Sequence, residues 1–396
     1  VTIIHPGQHN HDAGPDFAQA RVKIGDLIWA GDLEIHTYSR FWHQHEHHKD
    51  PAYNNVILHV VYRDDKPVYK ENGQRMPTVE LAPHIDLELV QRYEALIAHK
   101  SWVPCAAQLK SVAAVVWTTW LERLAIERME QRVQELETVL QWTNNNWEEA
   151  FYIRLMRYMG MKVNATPFEQ VAKSLPLKLL AKHKNQLLPL EAMLFGQAGL
   201  LAQIFTDAYP VELQKEYDFL RKKYALQPIP ASAWKWMRLR PANFPTIRLA
   251  QMAQLIFQSQ HLFSRVLEAE DVTTLSRFFD VTPSTYWRNH YQFDKQSRTR
   301  VKKLGKTAIN NLLINTVIPF VFFYGRYKSQ PNLQEKALNW LAALPPEKNS
   351  ITSKWAALVR PAAHAGESQA MLQLKKNYCD PVRCLQCAVG NKILQQ

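Results

Sequence analysis

No run of apolar residues in this chain is long enough to cross a bilayer. The longest, LLINTVIPFVFFYG (312–325), contains Asn315 and Pro319. It falls short of the roughly 20 residues a membrane span requires and reads as a buried core helix. Cysteine is scarce, at four residues in 396, and no basic start with an apolar segment and cleavage site marks an export signal. Together these predict a reducing, cytoplasmic setting with no membrane contact, in which the sequon-like NAT at Asn164 carries no meaning. The sequence starts at Val1 without a methionine, which leaves room for residues upstream. It has no long flexible linker and no regular repeat. A hydrophobic content of 46% excludes a largely disordered chain.

Charge is present and unevenly placed. The whole chain carries +12, yet residues 1–104 hold ten Lys/Arg against fourteen Asp/Glu and eleven of the fifteen histidines. Residues 105–396 hold 38 basic against 22 acidic side chains. An acidic, histidine-rich head on a basic body predicts a catalytic segment joined to one that binds a polyanion.

The hydrophobic pattern divides at the same place. DFAQARVKIG alternates as a strand, GD at 25–26 offers a hairpin turn, and LIWAGDLEIH returns as a second strand. A polar, aromatic stretch (39–52) follows, then the β-branched strand NNVILHVVY (54–62) and a further strand at 77–81. From about Ser111 the period becomes helical. VVWTTWLERLAIERMEQRVQELETVLQW reads as one long amphipathic helix, and Thr166, Pro167 and Glu169 read as the capped start of another. The expectation is an α+β chain: a small mixed α/β domain over 1–104 and a larger all-α domain over 105–396.

Within AGDLEIHTYS (30–39), Asp32, Glu34 and His36 recur at every second residue, with Leu33 and Ile35 between them. Strand geometry puts the two sets on opposite faces. The polar set is either a solvent-facing edge or part of a metal-dependent active site. Pro15–Asp16 opens the preceding strand, so Asp16 can face Glu34 across the hairpin. This β–β–α–β layout, with Pro15–Asp16 and Glu34–Ile35–His36, resembles the PD-(D/E)XK nuclease superfamily. The resemblance implies Asp16 and Glu34 as ligands of Mg²⁺ or Mn²⁺, with Asp32 as a further ligand, and His36 where the superfamily has lysine. Catalysis would then rest on Asp16, Glu34 and His36. In WHQHEHHKDPAYNN, His43 and His48 read as solvent-facing, while His45, His47 and His59 read as supporting or phosphate-contacting groups. A zinc hydrolase or cupin-like histidine site is the competing enzyme reading.

Two further features stand apart. Cys379, Cys384 and Cys387 have C-x4-C-x2-C spacing, and Cys105 is the one remaining cysteine. Four thiolates predict a zinc site, or less favourably an iron–sulfur cluster; reduced thiols are the alternative. TYWRNHYQFDKQSRTRVKKLGK (285–306) mixes Arg288, Lys295, Arg298, Arg300, Lys302 and Lys303 with aromatics, a composition suited to nucleic acid. No zinc-finger repeat or RNA-recognition motif appears, so backbone recognition is expected over base reading.

HPGQHNHDAGPDF, GDLEIH, YNNVILHVVY, RPANFP, INTVIPF and YCDPVRCLQC together resemble domain of unknown function 2851, a bacterial family. That resemblance implies no activity. The expected function is a metal-dependent nuclease-like protein that binds nucleic acid; the alternative is a non-catalytic helical scaffold, or partner-binding protein, with a degenerate nuclease domain.

Overall fold

The computed structural model describes residues 1–10 and 12–396; His11 lies outside them. The chain divides into Val1–Lys100 with Leu394–Gln396, and Ser101–Ile393. The first unit is a mixed sheet and the second is helical, so the protein is α+β with the larger part helical.

Among the described residues the sheet contains β1 (Thr2–His5), β2 (Gln8–His9), β3 (Phe17–Ile24), β4 (Leu27–Tyr38), β5 (Val56–Arg63) and β6 (Thr78–Glu80). Its order is β1-β3-β4-β5-β6, with β2 also on β3. β3 and β4 form the antiparallel hairpin, turned at Gly25 with φ +61°, a conformation glycine adopts without steric cost. β4 and β5 run parallel, as do β5 and β6. A parallel pair cannot be joined by a tight turn, so the chain must cross one face of the sheet. Residues 39–55 make that crossing as three short helical turns, Phe41–Gln44, His47–Lys49 and Pro51–Tyr53. The histidine-rich stretch is therefore the crossover itself.

The sheet buries both faces. On one, Ala20, Val22, Leu33, Ile57 and Leu58 form a core. Beneath the crossover, Trp42, Tyr53, Val56, Val68 and Met76 form a second. The pairing slips between Phe17 and Ala20 on β3 and between Asp32 and Leu33 against β5, bulges that re-aim neighbouring side chains. Asp32 secures both. Its carboxylate accepts the Gln19 N–H at 3.0 Å, where φ is +59°, and the Asn55 side-chain amide at 3.0 Å.

In the helical unit the long Ala114–Trp142 helix turns its apolar stripe to the core: Leu121, Leu124, Met129, Val133, Leu136 and Leu140 are all buried. The next expected helix start is displaced. Ala165–Ser174 begins after Asn164, whose buried side chain bonds the backbone of Lys235 in both directions at 2.9 Å. Glu169, expected to close a capping box with Thr166, instead pairs with Arg157 and Lys173. Two neighbouring cations outcompete the exposed N-terminal amide for its charge.

The apolar run of 312–325 sits in a longer helical segment, Lys306–Tyr327, whose 22 residues suffice by length and composition to cross a membrane. Seventy-two per cent of its apolar window is buried within the protein, which makes it a core helix of this unit.

Candidate metal centre

At Glu34 and His36 the polar face of β4 is covered. Glu34 and His36 are 5% and 9% exposed, whereas Ile35 between them is 44% exposed. The crossover explains the reversal: its helical turns lie over Glu34 and His36 and bring His45 and His47 to them, while β5 adds His59. His36 Nδ1 lies 2.8 Å from His59 Nε2, and His36 Nε2 lies 3.2 Å from His45 Nδ1. Glu34 Oε1 is 3.5 Å from His36 Nε2 and 3.3 Å from His47 Nε2. Donor nitrogens of His36, His45 and His47 all lie within 4.8 Å of one another. Tyr53 stacks on the His47 ring at 3.8 Å and fixes its plane.

Asp16 joins this group from the mouth of β3. Its backbone N–H donates to Glu34 Oε2 at 3.1 Å, and its Oδ2 accepts the Ile35 N–H at 2.9 Å. The hairpin thus ties Asp16 to Glu34 and Ile35. Asp32 does not join them, because both its oxygens are engaged at the bulges. His43 and His48 meet edge to face with ring centroids 4.8 Å apart, outside the donor group.

The electrostatics follow from packing these groups together out of water. Burial, and then the nearby Asp16 carboxylate, push Glu34 up to about 7. Burial, and then His47 and His45, push His36 down to about 4. Burial, and then His36 and His47, take His59 down to about 3. His47 is lowered for the same reasons, with His45 the larger charged neighbour. At neutral pH the buried imidazoles are therefore neutral and carry free lone pairs, the state required of a metal ligand. His36 therefore carries no fixed positive charge.

The arrangement fits a cation. With its Nδ1–H donated to His59 Nε2, His36 turns the Nε2 lone pair toward His45, His47 and Glu34. His59 Nδ1 has no partner, so nothing further fixes that ring's tautomer. A cation among the donors would select this arrangement over the one with Nε2–H. Three imidazoles and a carboxylate suit Zn²⁺ or Mn²⁺ better than Mg²⁺, which prefers oxygen. His45 is exposed and leaves the group open to solvent.

Residues 1–350 match a family model described as Protein of unknown function (DUF2851). The chain belongs to that family. No curated protein and no solved structure matches it. The matched span of this DUF2851 member covers the whole histidine–carboxylate group and Cys105, but not Cys379, Cys384 or Cys387.

In the helical unit the structure sorts the basic segment. Arg288, Lys295, Arg298, Arg300 and Lys303 are exposed, with Lys303 paired to Asp280 at 2.7 Å. Lys302 is buried; its ammonium donates to the Arg288 carbonyl at 2.8 Å and sits over the Tyr291 ring. Trp287 is fully buried and Tyr286 donates to Asp207. Lys302 and these aromatics are thus committed to the fold, while the remaining cations face solvent. Sequence spacing weighed His45 and His47 only as supporting groups. The signal that raises them to donors is the parallel β4–β5 pair, which forces their segment across the Glu34 face.

Proposed function

We propose that the N-terminal unit is a metal-dependent phosphodiester hydrolase acting on nucleic acid. The observation that carries this reading is the convergence of Asp16 and Glu34 from adjacent strands with His36, His45 and His47 at ligand spacing. The strand order, with Pro15–Asp16 ahead of β3 and Glu34–Ile35–His36 within β4, supports extending it to a PD-(D/E)XK-like nuclease. Glu34, His36, His45 and His47 would hold a Zn²⁺ or Mn²⁺ ion. When bound, such an ion polarises a phosphate oxygen and lowers the pKa of an attacking water. Asp16 orients Glu34 through its backbone N–H and adds negative charge beside the pocket. The solvent-facing cations Arg288, Lys295, Arg298 and Arg300 suit phosphate-backbone contacts elsewhere on a polyanion.

The second reading, a nucleic-acid-binding scaffold without catalysis, is favoured by one observation: His36 is held neutral where a permanent cation would stabilise developing charge. Labelled DNA and RNA incubated with Mn²⁺, Zn²⁺ or Mg²⁺ separate the two. Cleavage with Mn²⁺ or Zn²⁺ should fall at least ~100-fold in Asp16→Ala, Glu34→Gln and His47→Ala. Salt-sensitive binding without cleavage, unchanged in those variants, would leave the scaffold standing.

A further inference from the structure

We propose that the helical unit binds a phosphomonoester in a polar cavity walled by Arg128, Arg132, Arg154 and Lys376. The cavity encloses about 260 Å³, and the proposal is independent of the histidine group. Arg128 and Arg132 lie four residues apart on the Ala114–Trp142 helix and so share one face. Both reach the same acceptor: Arg128 Nε donates to Gln369 Oε1 at 2.7 Å, and Arg132 Nη2 donates to that oxygen at 3.3 Å. Arg154 comes from the neighbouring helix, Trp147–Met159, and meets Glu135 of the same wall at 3.4 Å. Two π-helical turns complete the cavity, Leu313–Val317 with Asn315 and Thr316, and Lys375–Cys379 with the exposed Lys376. Among the described residues these are the two π turns of the chain. Such turns are rare and frequently mark functional sites, and both open on this one cavity.

Bonds within the protein use only part of the donor set. Arg132 gives both Nη groups to Asn315. Arg128 bonds through Nε alone, so its two Nη groups have no hydrogen-bond partner among the described residues. Arg154 bonds through Nη2 alone. Burial holds all three below the usual guanidinium range, and for Arg132 the Arg128 charge is the next cause. Guanidinium groups gathered away from water are stabilised when an anion joins them.

Charge and size select the anion. Four cations face Glu135 in the wall and Glu347 behind it, which accepts from Asn315 and Gln369 at 3.0 and 2.9 Å. The excess is two positive charges. A carboxylate would answer one of them, whereas a phosphomonoester carries about −1.5 to −2 at neutral pH and answers both. Planar guanidinium forks also match phosphate oxygens. The volume falls just short of the ~300 Å³ at which pockets for whole drug-sized ligands begin. It suits a phosphoryl head group with the rest of the ligand outside. A free phosphorylated metabolite and the 5′-phosphate end of a nucleic-acid strand both carry that group.

Calorimetric titration of the intact protein at about 150 mM salt, with EDTA to keep the histidine group free of metal, tests the site. Two pairs of probes are compared: adenosine monophosphate with adenosine, and a short DNA bearing a 5′-phosphate with the same strand bearing a 5′-hydroxyl. The phosphorylated member should bind saturably and more tightly in at least one pair. Preference in the DNA pair alone assigns the strand end, and preference that includes the mononucleotide assigns a free ester. Arg128→Gln should weaken that binding about 10–100-fold. Lys376→Glu, at an exposed position that spares the core, should weaken it several-fold. Glu34→Gln should bind as the wild type does, so failure of the metal-centre reading and failure of this one are separate results. No preference in either pair, or a preference that both cavity variants retain at wild-type strength, would overturn the proposal.

Discussion

His59 on β5 is not one of the pocket's donor atoms, yet it meets the His36 nitrogen that faces away from the pocket. It is fully buried, and its Nε2 sits 2.8 Å from His36 Nδ1. His59→Ala should therefore weaken Zn²⁺ or Mn²⁺ binding about 10–100-fold while leaving His36, His45 and His47 in place. Chelator competition on the folded variant measures this. Unchanged affinity would mean that His36 is oriented by its own strand and crossover alone. The same scale shows why Glu34 and His36 are not ordinary strand residues: their neighbour Ile35 takes the exposed position that a solvent-facing polar edge would occupy.

At the scale of elements, the core helix Lys306–Tyr327 carries a local defect and its repair. Pro319 has no N–H to give the carbonyl one turn earlier, and the helix widens over Leu313–Val317. The freed Asn315 carbonyl accepts Arg132 Nη1 at 2.8 Å, and the Asn315 side-chain oxygen accepts Arg132 Nη2 at 2.8 Å. The Ala114–Trp142 helix thus supplies the donor that proline removes. Burial lowers Arg132 to about 9, which still leaves it charged at neutral pH. Arg132→Met should destabilise the protein by about 3 kcal/mol, because it leaves buried acceptors unpaired. Adding Pro319→Ala restores a backbone donor and should recover about 1 kcal/mol of that loss. Urea unfolding of the two single variants and the double tests the coupling, and strictly additive effects would remove it.

For the molecule as a whole, Glu191 writes a pH dependence into stability. It lies in the helical core at 1% exposure, where Tyr209 and Ser284 donate to its carboxylate at 2.5 and 2.8 Å. Burial outweighs those bonds and raises it to about 7. Between the unfolded carboxyl value near 4.5 and that folded value, the native state holds a proton the unfolded chain has released. Stability therefore falls as pH rises from about 4.5 to 7, by roughly 3 kcal/mol from this group alone. Glu191→Gln should flatten that slope in denaturant melts recorded between pH 4.5 and 8. A slope identical to wild type would assign the effect elsewhere.

Much of this was readable from the chain. Period-two alternation with GD at 25–26 determined the β3–β4 hairpin, and helical periodicity determined the long Ala114–Trp142 helix, because both depend on neighbours a few residues apart. Pro15–Asp16 and Glu34 were legible as a pair for the same local reason. Tertiary structure alone decided that the Glu34–His36 face of β4 is covered, since that depends on where a 17-residue crossover lies. It alone separated Asp32, held at two bulges, from Glu34 two residues on. It also set Lys302 and Trp287 in the core while Arg298 and Arg300 stayed in water. Residue type and spacing specify what a side chain can do; only packing specifies which partners it meets and how much water remains between them.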